Sequence, residues 1–176
     1  MKVVFDSNIY VSALAIPGGV AEQALRLAME GRVELATSRP VLAEVLEVLA
    51  RKFARDPEHL ARTALFLSSL AEMVAPAKRL RILADDPDNR ILECAIAARA
   101  DAIVTGDRQV LALGVWEGIR ILSLRDFVDS QGSPSEVRQS RAPYGSPSRG
   151  AIRSSRRRGS ATASARGGTS AIPMRR

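Results

Sequence analysis

The segment DPDNRILECAIAARADAIVTGDRQVL, residues 86–111, changes its hydrophobic period halfway along. From Asp88 to Arg99 the apolar residues recur at helical spacing, and Asp88, Ile91, Leu92 and Ala95 fall on one stripe. From Ala102 that period gives way to an unbroken apolar run, AIVT, which ends in Gly106 and Asp107. A helix over 88–99 followed by a buried strand over 102–106 marks an alternating α/β chain. Asp88 thus heads the buried stripe of its helix, and Asp107 stands where the strand runs out. Glu93 lies well off the stripe, while Asp85 and Asp86 precede the helix, so these three read as solvated or loop acids.

The same logic extends in both directions. KVVFDSN opens the chain with a strand over 2–6 that ends on an acid, Asp6. The chain then passes through IPGG to a helix over about 20–30, closed by Gly31, and VELATS (33–38) is the next strand. Pro40 opens a helix to about 54. DPEH starts another, with Asp56 as cap and Pro57 in the first turn, running to about 72. MVAPA is a short strand and ADDPDN a turn. A short helix follows Asp107, IRIL (119–122) completes the sheet, and Ser123 caps a last turn of helix. Strands alternating with helices imply a parallel sheet covered on both faces with right-handed crossovers. In such sheets ligands bind outside the carboxyl ends of the strands.

That rule gives the acids their interest. Asp6 and Asp107 each follow a separate apolar strand, so both are delivered to the same edge. An aspartate there is commonly a turn or capping residue, and an aspartate at a helix start also suits the helix dipole. On the helix from Pro40, Glu44 borders the apolar stripe one turn from the strand end at Ser38, whereas Glu47 lies on the polar side. Asp6, Glu44, Asp88 and Asp107 therefore converge. Four crowded carboxylates repel one another unless a cation sits among them. Oxygen ligands without His or Cys point to a hard divalent ion, Mg²⁺ or Mn²⁺, and to phosphodiester hydrolysis. Ser7, Asn8, Asn89 and Thr105 flank these acids and are placed to support them or their waters.

Composition narrows the classes. Cys94 is the single cysteine and His59 the single histidine, which excludes disulfides, Cys/His zinc sites and a cysteine–histidine catalytic pair. Cys94 reads as packed core and His59 as surface. No apolar run is long enough to cross a membrane and no signal-peptide pattern occurs, so a cytoplasmic location is expected. The net charge of +7 is unevenly distributed: residues 131–176 carry ten arginines and one acid (Glu136), leaving residues 1–130 at −2. That splits the chain into a globular domain over 1–130 and an Arg/Ser/Gly-rich tail over 131–176 whose composition predicts disorder. The tail reads equally as a salt-sensitive nucleic-acid arm or as a functionless extension.

With these residues in place, the chain resembles a PIN domain, the ribonuclease fold of VapC-like toxins. VVFDSNIYVSAL is similar to the opening strand of that family with Asp6 as its first acid. SRPVLAEVLEVL is similar to the second segment with Glu44, and DPDNRILECAIAARADAIVTGDRQVL carries Asp88, Thr105 and Asp107. The resemblance covers about 1–128 and implies a three-layer α/β/α fold around a central parallel sheet. It also implies a metal-dependent endoribonuclease acting on RNA, a homodimer, and a cognate antitoxin that neutralises it. The residues alone reach only a metal-dependent phosphodiesterase.

Competing readings fit less well. A receiver domain needs a lysine after a late strand, and no lysine follows Arg79. A dehalogenase-like phosphatase needs a second aspartate where Asn8 stands. A non-catalytic module on the same fold, or a flap-type nuclease acting on DNA, keeps all four acids. Tyr10 and Trp116 are the candidate base-stacking aromatics, and Arg90 and Arg108 are candidates for phosphate contact.

Overall fold

The computed structural model describes residues 1–132, and all but the first two residues assigned to the tail lie outside the described residues. Six strands form one sheet: β1 (Lys2–Phe5), β2 (Glu34–Ser38), β3 (Glu72–Val74), β4 (Ala102–Thr105), β5 (Val115–Trp116) and β6 (Ile119–Ser123). Their order is β3-β2-β1-β4-β6-β5. The helices are α1 (Ser7–Ala15), α2 (Val20–Met29), α3 (Arg39–Phe53), α4 (Pro57–Leu70), α5 (Asp86–Ala98), α6 (Arg108–Leu111) and α7 (Leu124–Gly132). They flank the sheet in the expected three-layer arrangement.

The sheet is built where the sequence is apolar without alternation. Val3, Val4 and Phe5 in β1, and Ala102, Ile103 and Val104 in β4, are fully buried, as strands covered on both faces must be. They pair in parallel with Phe5 opposite Val104. The Asp6 N–H donates to the Val104 carbonyl at 2.9 Å, so the ladder runs one residue past β1 and seats Asp6 beside the end of β4. The strand order steps outward from β1 in both directions, and β1 and β4, the two strands ending in acids, are neighbours.

Three features depart from the sequence reading. Residues 7–15 form a helix, α1, in a stretch to which the sequence reading assigned no element. Ser7, Ile9, Tyr10, Val11 and Ala13 are all buried, so only a narrow edge at Asn8 and Ser12 is left to print a 3.6-residue period. The second departure is β5, which pairs antiparallel with β6 on an otherwise parallel sheet. Its hairpin turns at Glu117 and Gly118, both with positive φ (50° and 79°), the backbone pattern of a two-residue turn. The third is Tyr10, which is not available for base stacking. It is 1% exposed and lies against Phe5 at a ring separation of 5.7 Å, while Phe127 meets the same phenylalanine edge-on at 5.5 Å.

Other expectations hold in detail. Asp56 caps α4 by accepting from the His59 N–H at 2.8 Å, with Pro57 in the first turn. Cys94 is fully buried, and its thiol is pushed up to about 12 by that burial. No helix among the described residues is long and apolar enough to cross a membrane.

Candidate functional site

Asp6 follows β1, Asp107 follows β4, Glu44 lies in the second turn of α3 just after β2, and Asp88 lies in the first turn of α5. All four acids therefore belong to the carboxyl edge of the sheet, two of them by strand ends and two by positions near helix starts.

Asp6 has the most enclosed carboxylate of the four, 4% exposed. It occupies the capping position of α1 but makes no capping hydrogen bond to that helix. Its oxygens are instead held from the side. The Thr105 hydroxyl donates to Oδ2 at 2.6 Å and the Ser7 hydroxyl to Oδ1 at 3.3 Å. Burial raises the Asp6 pKa, the Thr105 hydroxyl, the Asn8 N–H and the Ser7 hydroxyl pull it back, and the neighbouring Asp107 carboxylate pushes it up again.

Thr105 joins two acids through one hydroxyl. It donates to Asp6 and accepts from the Asp107 N–H at 2.9 Å, and its side chain is fully buried. Asp107 combines both roles weighed for it. Its Oδ1 accepts from the Gln109 N–H at 2.7 Å and the Val110 N–H at 3.2 Å, capping α6. Its Oδ2 makes no hydrogen bond among the described residues, leaving one oxygen for the site.

Glu44 is half-buried and Glu47 exposed, as the helical wheel predicts. Burial raises the Glu44 pKa, the Ser7 hydroxyl lowers it, and the charges of Asp6 and Glu47 raise it. Ser7 thus touches the balance of two acids at once. Asp88 shows the largest effect, with its carboxyl pushed up to about 6. Partial burial is the first cause, followed by the negative charges of Asp107, Asp6, Asp85 and Glu44. Capping does not explain Asp88, because Asp85 is the capping residue of α5. The four acids feel one another, and none forms an ion pair with Lys or Arg among the described residues.

The flanking polar residues divide. Ser7 and Thr105 support the acids directly. The Asn8 amide is exposed and lies beside Gly106, where an added Cβ would stand 3.7 Å from its Nδ2. Asn89 is committed elsewhere: its Oδ1 accepts from the N–H groups of Ile82 and Leu83, and its Nδ2 donates to the carbonyls of Leu83 and Asp85. It holds the segment leading into α5 and makes no hydrogen bond to a carboxylate.

Two expectations about charge are corrected. Glu93 is not a solvated acid but is 5% exposed. Arg90, 8% exposed, does not face solvent either. Its Nη1 donates to both Glu93 oxygens at 2.7 Å, and its Nη2 donates to Asp86 Oδ1 at 2.6 Å. The i,i+3 spacing of Arg90 and Glu93 was visible in the sequence; the loop that covers them was not.

The donor set is anionic, all-oxygen and mutually destabilising, which fits the chemistry of a hard divalent cation. Among the described residues, however, no group of three or more His, Cys, Asp or Glu side chains is gathered closely enough to hold a metal ion. The acids share an edge and a field without closing into a cage.

A family model described as PIN domain matches residues 2–109, a span that contains all four acids. The chain is 28% identical over 117 residues to the uncharacterized protein MJ1680 of Methanocaldococcus jannaschii, covering 64% of this chain and 75% of that protein. Its structure is similar to that of VapBC2 from Rickettsia felis bound to a DNA fragment from their promoter. The TM-score is 0.53 at 20% identity, over 70% of this chain and 98% of that one. At that identity the likeness shows the fold.

Proposed function

The chain belongs to the PIN domain family, and from that premise we propose that it is a divalent-metal-dependent endoribonuclease and the toxin of a toxin–antitoxin pair. PIN domains are generally nucleases, and the observation that supports this activity here is the mutual influence of Asp6, Glu44, Asp88 and Asp107 at one sheet edge. These four supply the oxygen donors that Mg²⁺ or Mn²⁺ takes, and holding the ion would require their side chains to close further than they stand in this structure. When bound, the ion offsets negative charge on the scissile phosphate and makes water a better nucleophile. Thr105 and Ser7 fix the orientation of Asp6. The α6 cap fixes one Asp107 oxygen and so aims the other.

The fold neighbour is a VapBC2 assembly, and that supports a protein antitoxin as partner of this chain. A homodimer, carried by the resemblance in sequence, and a cytoplasmic location, the default of the composition, complete the proposal. The choice of RNA over DNA is tested by incubating the chain with single-stranded RNA and DNA of one sequence in Mn²⁺. Cleavage of RNA at internal positions supports the proposal. Cleavage of DNA alone moves it to a flap-type nuclease, and metal binding without cleavage of either moves it to a non-catalytic module.

A further inference from the structure

α5 is buried on nearly every side, including the side away from the Ile91, Leu92 and Ala95 stripe. There the chain places a charged pair, Arg90 and Glu93, where apolar residues would pack without a desolvation cost. A buried ion pair is weak evidence for stability, since apolar replacements of similar volume are often neutral or stabilising. Its geometry gives it another task.

The Arg90 guanidinium spans the first two turns of α5. Nη2 and Nε reach back to the Asp86 carboxylate and carbonyl, at 2.6 and 3.3 Å, while Nη1 reaches forward to Glu93. Asp88 lies between those anchor points. Glu93 Oε1 also accepts from the Leu80 N–H at 2.6 Å, and Asn89 holds Ile82, Leu83 and Asp85. The segment 80–85 is thereby fastened to α5 at both ends, just where it delivers the chain to Asp88.

The charge of Arg90 is matched by its own partners. Two carboxylates take up the one cation, and no ion pair joins Arg90 to Asp88 among the described residues. An arginine two residues from an acidic site thus orders the site without acting as its counterion.

We propose that Arg90, Glu93 and Asn89 are positioning residues that hold Asp88 in place for a divalent cation while leaving the negative field of the site intact. This rests on the metal-dependent reading above. The device differs from a catalytic group in that none of the three is directed at substrate; each acts through Asp88.

The test is Mn²⁺ binding to the full chain, followed by electron paramagnetic resonance of free Mn²⁺, alongside thermal melting. The double variant Arg90→Met/Glu93→Leu removes both charges and keeps volume. It is expected to melt near the wild type but to bind Mn²⁺ at least about tenfold more weakly, the usual scale for loss of a supporting group. Arg90→Lys, which keeps one cation for Glu93, is expected to fall between the two.

A second pair guards against misfolding. Asp86 has a largely exposed side chain, and Asp86→Asn and Asp86→Ala lose the same charge, but only the first keeps an oxygen for Arg90. Weaker Mn²⁺ binding by Asp86→Ala than by Asp86→Asn supports the proposal. Equal binding by those two, or wild-type binding by the double variant, overturns it. If the wild type itself binds no Mn²⁺, the metal-dependent reading fails, and this proposal with it.

Discussion

Asp88→Asn should stabilise the metal-free protein and destabilise it relative to wild type once Mn²⁺ is added. Asp88 makes no hydrogen bond among the described residues, so the substitution removes a charge and little else. Burial and its acidic neighbours push its carboxyl up to about 6 in the folded chain, against an ordinary value of 3.8. Below pH 3.8 both states are protonated and no penalty exists. Between the two values the folded state keeps the proton and the unfolded state loses it, so stability falls as pH rises to about 6 and then levels. At full coupling that gap corresponds to about 3 kcal/mol. The side chain is only partly buried, and solvent screening brings the expected gain down to about 1 kcal/mol. Loss of a favourable helix-dipole contact in the first turn offsets about 0.3 kcal/mol of it.

Thermal melting at pH 8 should therefore place Asp88→Asn a few degrees above wild type, on the scale of about 3–5 °C per kcal/mol for a domain of this size. At pH 4 the two should nearly coincide. Mn²⁺ at about one hundred times its dissociation constant stabilises a binding protein by about 2.7 kcal/mol, which is enough to reverse the order at pH 8. A variant less stable than wild type without metal, or a difference unchanged at pH 4, would refute the account of Asp88.

Other substitutions separate the roles of neighbouring atoms. Thr105→Val leaves the Asp107 N–H and an Asp6 oxygen without their shared partner, and should cost about 1–3 kcal/mol in denaturant unfolding. It should also lower RNA cleavage about 10–100-fold. Asp107→Asn retains an oxygen to cap α6 whereas Asp107→Ala does not, so melting should place the alanine variant about 1 kcal/mol lower, with both inactive in cleavage. Cys94, buried and with its thiol raised to about 12, should resist alkylation at pH 8 in the native state and react in urea; rapid native labelling would mean that α5 opens.

The sequence was most legible where one residue follows from one local pattern. Apolar runs ending in Asp6 and Asp107 located two strands and their shared edge, and the wheel of α3 separated Glu44 from Glu47. Asp56 and Pro57 marked a helix start that the structure contains. Legibility failed where burial is decided by distant chain. α1 is buried over most of its surface, with Asn8 its one exposed residue, and so showed little period. Glu93 looked solvated because a helical wheel registers only the sheet side of α5, and the segment 80–85 that covers its other side has no periodicity of its own. The two-residue strand β5 depends on a turn at Glu117 and Gly118 whose left-handed backbone is not implied by Glu117. For the site, the four acids could be named from position, but the hydroxyl of Thr105 serving two of them required the register of β1 on β4.

The most direct test of the central claim is cleavage of end-labelled single-stranded RNA by the full chain, first stripped with chelator and then supplied with Mn²⁺, beside Asp6→Asn. Asp6→Asn should fold at least as well as wild type, because it removes a charge that is buried and stands beside Asp107. The account predicts cleavage that returns with Mn²⁺ in the wild type and is absent in a folded Asp6→Asn. Equal cleavage by both proteins, or cleavage indifferent to chelator, would contradict it.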